Sequence, residues 1–283
     1  MINDLTTIDT IDINSLDDDA LMALTGQGTA PSSSNSGNAL PRLTINYDAE
    51  NDEGQQLPRG YWKLMLDGQF VYADTLSFRP FARMYTYSLW DPEENRFISQ
   101  SIQSQSLGDR FPDSAGTERC GRLLKDEAQQ LDESDPRLLL SNQVICNTVL
   151  YGVVSGTAKT SSGDEVTLED QPVVAYFKKS GFRPAREAID MITRQKKLMQ
   201  KTVFDLGTKK HKMGSVTYWT PTFTQTDYLK DLSSEDMEMI KKFIESVKGY
   251  NESILNRFRE ATKALEDATD LSLEAELEDA NAA

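Results

Sequence analysis

From residue 61 onward, apolar and polar positions alternate at two different intervals, and the change of interval marks the elements. Tyr61-Trp62-Lys63-Leu64-Met65-Leu66 and Gln69-Phe70-Val71-Tyr72-Ala73 are short apolar runs separated by Asp67-Gly68. That pair predicts a tight hairpin, because a two-residue turn of this kind needs positive φ at both central positions. A long extended segment follows from Thr75 to Trp90, closed by Asp91-Pro92, with Arg96 to Ile102 as its partner strand. Residues 106–143 keep neither period and read as irregular, with a short helix near Leu123–Leu131. Strand character returns at Val144–Val154, turns at Gly163-Asp164 and resumes at Val173–Phe177. The period then lengthens: Ile189, Ile192 and Met199 share one face of a helix predicted from Pro184 to Lys201, with Pro184 in the first turn. Two more strands, Thr202–Leu206 and Ser215–Phe223, flank a basic loop.

The last pattern is the most regular. Ser233 is placed to cap a helix whose first turn carries Glu235 and Asp236. Met237, Ile240, Ile244, Val247, Asn251, Ile254, Phe258, Ala261 and Leu265 follow in steps of three and four, a heptad seam with Asn251 as its one polar member. Such a seam either packs on its own domain or self-associates, Asn251 then fixing the register. Gly249 is a point at which the helix can divide in two. At the other end, Ser15–Leu24 has the cap and thin apolar face of one short helix, followed by the linker-like Pro31-Ser32-Ser33-Ser34-Asn35-Ser36-Gly37-Asn38.

Charge divides the chain in the same way. The 283 residues carry a net charge of −15, yet the acid sits at the ends. Residues 1–56 hold ten acidic side chains against Arg42 alone, a net of −9, and residues 265–283 hold seven and no base. What remains, 57–264, is near neutral at +1. The organisation expected is an acidic, largely disordered segment 1–56, a β-rich core 57–232, an amphipathic helix 233–265 and an acidic tail 266–283. Two cysteines, Cys120 and Cys146, are too few for a disulfide framework. With no apolar run of spanning length and no leader-like start, the expectation is a cytoplasmic protein without a membrane partner.

No catalytic constellation stands out, so no enzyme and no cofactor are expected. The one histidine, His211, lies among Lys209, Lys210 and Lys212, with no carboxylate beside it to orient a base. Phosphate-cradling glycine loops and nucleophile elbows are missing. The positive signals are two. On the odd positions of the long strand, Arg79, Phe81, Arg83, Tyr85 and Tyr87 interleave cations with aromatic rings. Bases stack on such rings while guanidinium groups take phosphates. The same pattern suits a packed core strand with arginines at its edge, and Pro80 is a point at which the alternation can shift. The second signal is a basic stretch over 178–213, eleven cations against three acids. Within it, Lys178, Lys179, Arg183, Lys209, Lys210 and Lys212 are the expected phosphate contacts.

An aromatic, basic β core followed by an acidic C-terminus resembles the single-stranded DNA-binding proteins of bacteriophage replication. That resemblance implies an OB-fold-like Greek-key barrel within an α+β, mainly β chain, with the Pro184–Lys201 helix between its strands. It further implies a role in DNA replication, recombination or repair, and an acidic tail that competes with DNA and contacts replication proteins. If the chain is phage-encoded, it would act in the host cell cytoplasm. The other class kept open is a phage structural or assembly protein, a homo-oligomer joined through the C-terminal helix.

Overall fold

The computed structural model describes residues 40–51 and 54–282. The predicted helix Ser15–Leu24 and the linker after it lie outside the described residues. Among those described, nine strands join one sheet: β1 (Arg42–Ile45), β2 (Trp62–Leu66), β3 (Gln69–Ala73), β4 (Leu76–Asp91), β5 (Arg96–Gln100), β6 (Ile145–Thr160), β7 (Glu165–Lys178), β8 (Thr202–Met213) and β9 (Val216–Tyr228). Four helices accompany them: α1 (Lys125–Ala128), α2 (Pro136–Gln143), α3 (Phe182–Arg194) and α4 (Ser234–Ala282). The chain is thus a mainly β, mixed α+β fold with a long C-terminal helix.

The strand order is β3-β2-β1-β7-β6-β4-β8-β9, with β5 added beside β4. A further pairing, Val71 with Thr160, joins β3 to β6, so β1, β2, β3, β6 and β7 pair in a closed ring. The predicted hairpin is there, with Asp67 at φ 48° and Gly68 at φ 82°. Arg42–Ile45, read from the sequence as part of an unfolded acidic segment, is instead strand β1. Its Leu43 is buried, and it runs antiparallel to β2 and parallel to β7. Four residues of alternation were too short to stand out beside so many charges.

Apolar side chains collect on two sides of the long central strands. One cluster joins Leu64, Phe78, Leu150, Phe204 and Leu206 to Ile189 and Ile192 of α3. The other sets Phe81, Met84, Val149, Tyr151 and Val153 against Ile240, Phe243, Ile244 and Val247 of α4. β4 serves both clusters because its register with β6 slips between Pro80 and Ala82, a bulge that inserts Phe81 and reverses the alternation. Before the bulge Phe78 faces α3; after it Met84 faces α4.

α4 is one continuous helix. Ser233 and Asp236 form a reciprocal cap, Ser233 Oγ accepting from the Asp236 amide at 3.1 Å and Asp236 Oδ2 accepting from the Ser233 amide at 2.9 Å. Gly249 does not divide it, since packing against the sheet holds both halves. Its heptad seam is spent on the chain's own core as far as Ile254, which is 2% exposed. The backbone helix continues to Ala282 through the stretch expected to be a disordered tail.

Candidate nucleic-acid interface

The expected β4 face does not exist as one surface. The bulge sends Arg79 and Arg83 to opposite sides, and each is held in an ion pair: Arg79 with Asp236 of α4 and Arg83 with Asp190 of α3, both at 2.5 Å. Phe81 is fully buried against Phe243, and Tyr85 is 4% exposed beside Phe182. Tyr87 packs edge-on against Phe111, its hydroxyl pushed up to about 12 by burial. Phe81 and Tyr85 are thus closed to a base, and Tyr87 is half-buried on Phe111. The core-strand reading holds for Phe78–Tyr85, where β4 packs on α3 on one side and on α4 on the other, and a strand covered twice is apolar on both faces.

The remaining predicted residues separate into three places. Lys178 and Lys179 lie at the end of β7, level with the far end of β4. Arg183 is on the outer face of α3, paired with Glu187 one turn later. Lys209, Lys210 and Lys212 were expected in a loop but belong to β8, which runs past the predicted end at Leu206 to Met213, so only Gly214 and Ser215 form the turn. β8 meets β4 at Leu76 and Leu206, so these lysines lie past one end of β4, while Lys178 is in register with Thr86 toward the other. Measured along the strand, that is roughly 40 Å.

What the fold does assemble is a groove of about 910 Å³ between the end of β4, strands β5, β6 and β7, and the middle of α4. Its polar wall follows from register. Thr86 of β4 is opposite Asn147 of β6, and Asn147 is opposite Lys178 of β7, so the three side chains form one row across the sheet. The next β4 residues on that face are Ser88 and Trp90. Trp90 meets Phe97 of β5 edge-on, with ring centroids 4.7 Å apart, and both rings remain exposed, at 37% and 42%.

Arg42, Lys178 and Lys179 put three cations on the opposite rim, and among the described residues no carboxylate lines the groove. The Arg42 guanidinium lies 4.7 Å from the centre of the Tyr176 ring. Among the described residues, none of the three cations makes an ion pair. The Lys178 ammonium is held below the usual lysine range, first by its burial, then by Arg42 and Lys179. Like charges gathered together repel one another, and an anion in the groove relieves that repulsion.

The floor is rigid. Tyr151 donates to Gln103 Oε1 at 2.9 Å, and Gln103 Nε2 donates to the Tyr176 hydroxyl at 3.2 Å. Tyr250 donates to the Ser101 carbonyl at 3.1 Å. Burial raises the hydroxyl pKa of all three tyrosines. They therefore stay neutral and present no charge to oppose an anion. A planar ring can meet the exposed Trp90–Phe97 pair while its phosphate meets the cationic rim.

Lys178 and Lys179 are thus the predicted residues that the structure brings to this groove. Arg42, Trp90, Phe97, Tyr176 and Tyr250 were missed. A signal existed for one pair: Trp90 and Phe97 flank the Asp91–Asn95 turn, where two large aromatics near an exposed hairpin end have no core to enter. No family model, curated protein or solved structure matches the chain. Among the described residues, no helix is long and apolar enough to cross a membrane.

Proposed function

We propose that the protein binds single-stranded nucleic acid in the groove between β4, β7 and α4. The observation that carries this reading is the meeting of three cations, Arg42, Lys178 and Lys179, with the exposed Trp90–Phe97 pair in a groove that no carboxylate lines among the described residues. Stacking contributes about 1–3 kcal/mol per base and tolerates any sequence, while the cations add a salt-dependent phosphate term. Thr86, Ser88, Asn147 and Gln100 supply hydrogen bonds without reading one base alone. A role in DNA replication, recombination or repair belongs to the same proposal.

The OB-type barrel stays part of it as well. The order β7-β1-β2-β3 is that of a Greek key, and β3 returns to β6 to complete the ring. β1 and β7, however, run parallel where a Greek key has them antiparallel. Competition by the acidic stretch 266–283 is harder to accommodate: as a helix it begins about 24 Å beyond Tyr250, so it reaches the groove only if α4 breaks. Self-association through the α4 seam would likewise require α4 to leave its own sheet.

The test is tryptophan emission titrated with oligo(dT). Trp62 and Trp219 are 2% and 8% exposed, so a groove ligand acts chiefly on Trp90. Salt-sensitive quenching that is lost in Lys178→Glu/Lys179→Glu supports the reading. Unchanged emission, or equal binding by that variant, overturns it.

A further inference from the structure

Beyond Leu206, β8 leaves β4 and, among the described residues, pairs only with β9, from Gly207 with Thr222 to Met213 with Val216. The result is a two-stranded ribbon that extends roughly 20 Å past the sheet. A bare ribbon of this kind is marginal in water, and its root is accordingly braced. Tyr47 donates to the Trp219 carbonyl at 3.0 Å, and Thr208 donates to the Gly60 carbonyl at 2.6 Å. Gly60 leaves room for the Trp219 ring, which a Cβ would meet at 2.2 Å, and Arg59 and Lys210 lie over that ring at 5.4 and 5.9 Å.

The tip is of another character. Met213 and Val216 are 71% and 57% exposed, the two most exposed large apolar residues among those described. Both faces behind them carry lysine, two on one and one on the other. Lys210 and Lys212 share a face with Trp219 and Thr217, their cross-strand partners; Lys209 and His211 share the other with Thr220 and Tyr218. His211 stacks on Tyr218 at 5.1 Å, which confirms the alternation. Among the described residues, Lys209, Lys210 and Lys212 make no ion pair. Asp48, on the bracing loop, is already paired with Lys63.

We propose that this ribbon enters a groove of double-stranded nucleic acid. A body standing between two phosphate backbones needs cations on both faces, and the major groove of a duplex admits a two-stranded ribbon. An apolar tip suits contact with base edges or wedging at a base step. Taken with the single-strand groove, on whose reading this second part rests, the ligand is a junction: duplex on the ribbon, unpaired strand along the Trp90–Phe97 rim.

Three fluorescein-labelled ligands test both parts with the full chain: oligo(dT), a blunt duplex, and that duplex carrying an oligo(dT) tail. Two linked contacts are expected to favour the tailed duplex over oligo(dT) by on the order of 10²-fold. Lys209→Glu/Lys212→Glu, two exposed positions opposite threonines, is expected to abolish that preference, leave oligo(dT) binding unchanged, and lower the salt slope for the duplex by about two units. Met213→Ser is expected to weaken duplex binding with the slope unchanged. Equal affinity for tailed duplex and oligo(dT), or a preference that survives the double substitution, overturns the ribbon. Duplex binding without oligo(dT) binding keeps the ribbon and removes the single-strand groove, so the two proposals fail separately.

Discussion

Asn251 of α4 hydrogen-bonds both backbone groups of Gln103, accepting from its N–H at 2.6 Å and donating to its carbonyl at 2.8 Å. The amide side chain thereby takes the place of a strand partner at Gln103. Gln103 passes the constraint on, because its own side chain joins Tyr151 to Tyr176 in the floor of the groove. The polar member of the heptad seam thus fixes a register, but within the chain.

Asn251→Leu removes both bonds and strands a buried N–H and a buried carbonyl. Each unsatisfied group costs about 1–3 kcal/mol, so the expected loss is about 2–4 kcal/mol. Urea unfolding should show a lower midpoint at an unchanged slope. A midpoint equal to the parent's would show that α4 docks without this pair.

Asp236→Asn keeps the cap oxygen but removes the charge that faces Arg79. Burial alone would raise the Asp236 carboxyl; hydrogen bonds from Arg79 and from the Ser233 amide outweigh it and hold the group below its ordinary 3.8. A carboxyl depressed by folding stabilises above its unfolded pKa and loses that contribution as pH falls through the folded value. The variant should therefore be weaker by about 2–4 kcal/mol at pH 7, where it leaves Arg79 unpaired, and the gap should close below pH 3.8. A gap that is constant with pH would remove the ion pair as its cause.

Cys120 and Cys146 are expected to be inert in the folded chain. Burial raises their thiols to about 12 and about 11, so little thiolate exists at pH 8. Against a free thiol near 8.5, alkylation by iodoacetamide should slow by about 10²-fold or more, and should recover in urea. Rapid labelling of either cysteine in the native protein would contradict the packing around Tyr87.

The lowered Lys178 ammonium makes a further prediction about the groove. An anion favours its charged form, so affinity for oligo(dT) should decline as pH rises from 7 toward the depressed pKa, which lies below 10.5. Lys178→Arg should flatten the profile between pH 7 and about 10. A declining profile in that variant would point to another titrating group.

Where turn chemistry and periodicity act locally, the sequence was legible. Asp67-Gly68, Gly163-Asp164, the long β4 and the cap at Ser233 all stand where the residues placed them. Residues 101–121 were not legible, because side chains rather than a period hold them. Asp113, fully buried, accepts from Ser99, Thr117 and the Cys120 amide. The site was read on β4 because one bulged residue reversed its phase. Close packing at that bulge leaves no latitude: a Cβ on Gly152 would meet the Arg79 carbonyl at 2.4 Å. The groove itself gathers residues from six elements, β1, β4, β5, β6, β7 and α4, a conjunction that no local pattern announces.

The parallel pairing of β1 with β7 has a consequence for how the chain is made. Arg42 and its partner Val174 are 132 positions apart. A ribosome adding about 5–20 residues per second delivers the second on the order of ten seconds after the first. During that interval Leu43 has no β7 to pair with, and the Arg42 side of the groove does not exist. The cationic rim of Arg42, Lys178 and Lys179 is therefore a late product of synthesis, completed only once the chain past β7 has emerged, and a nascent chain stalled before that point lacks it.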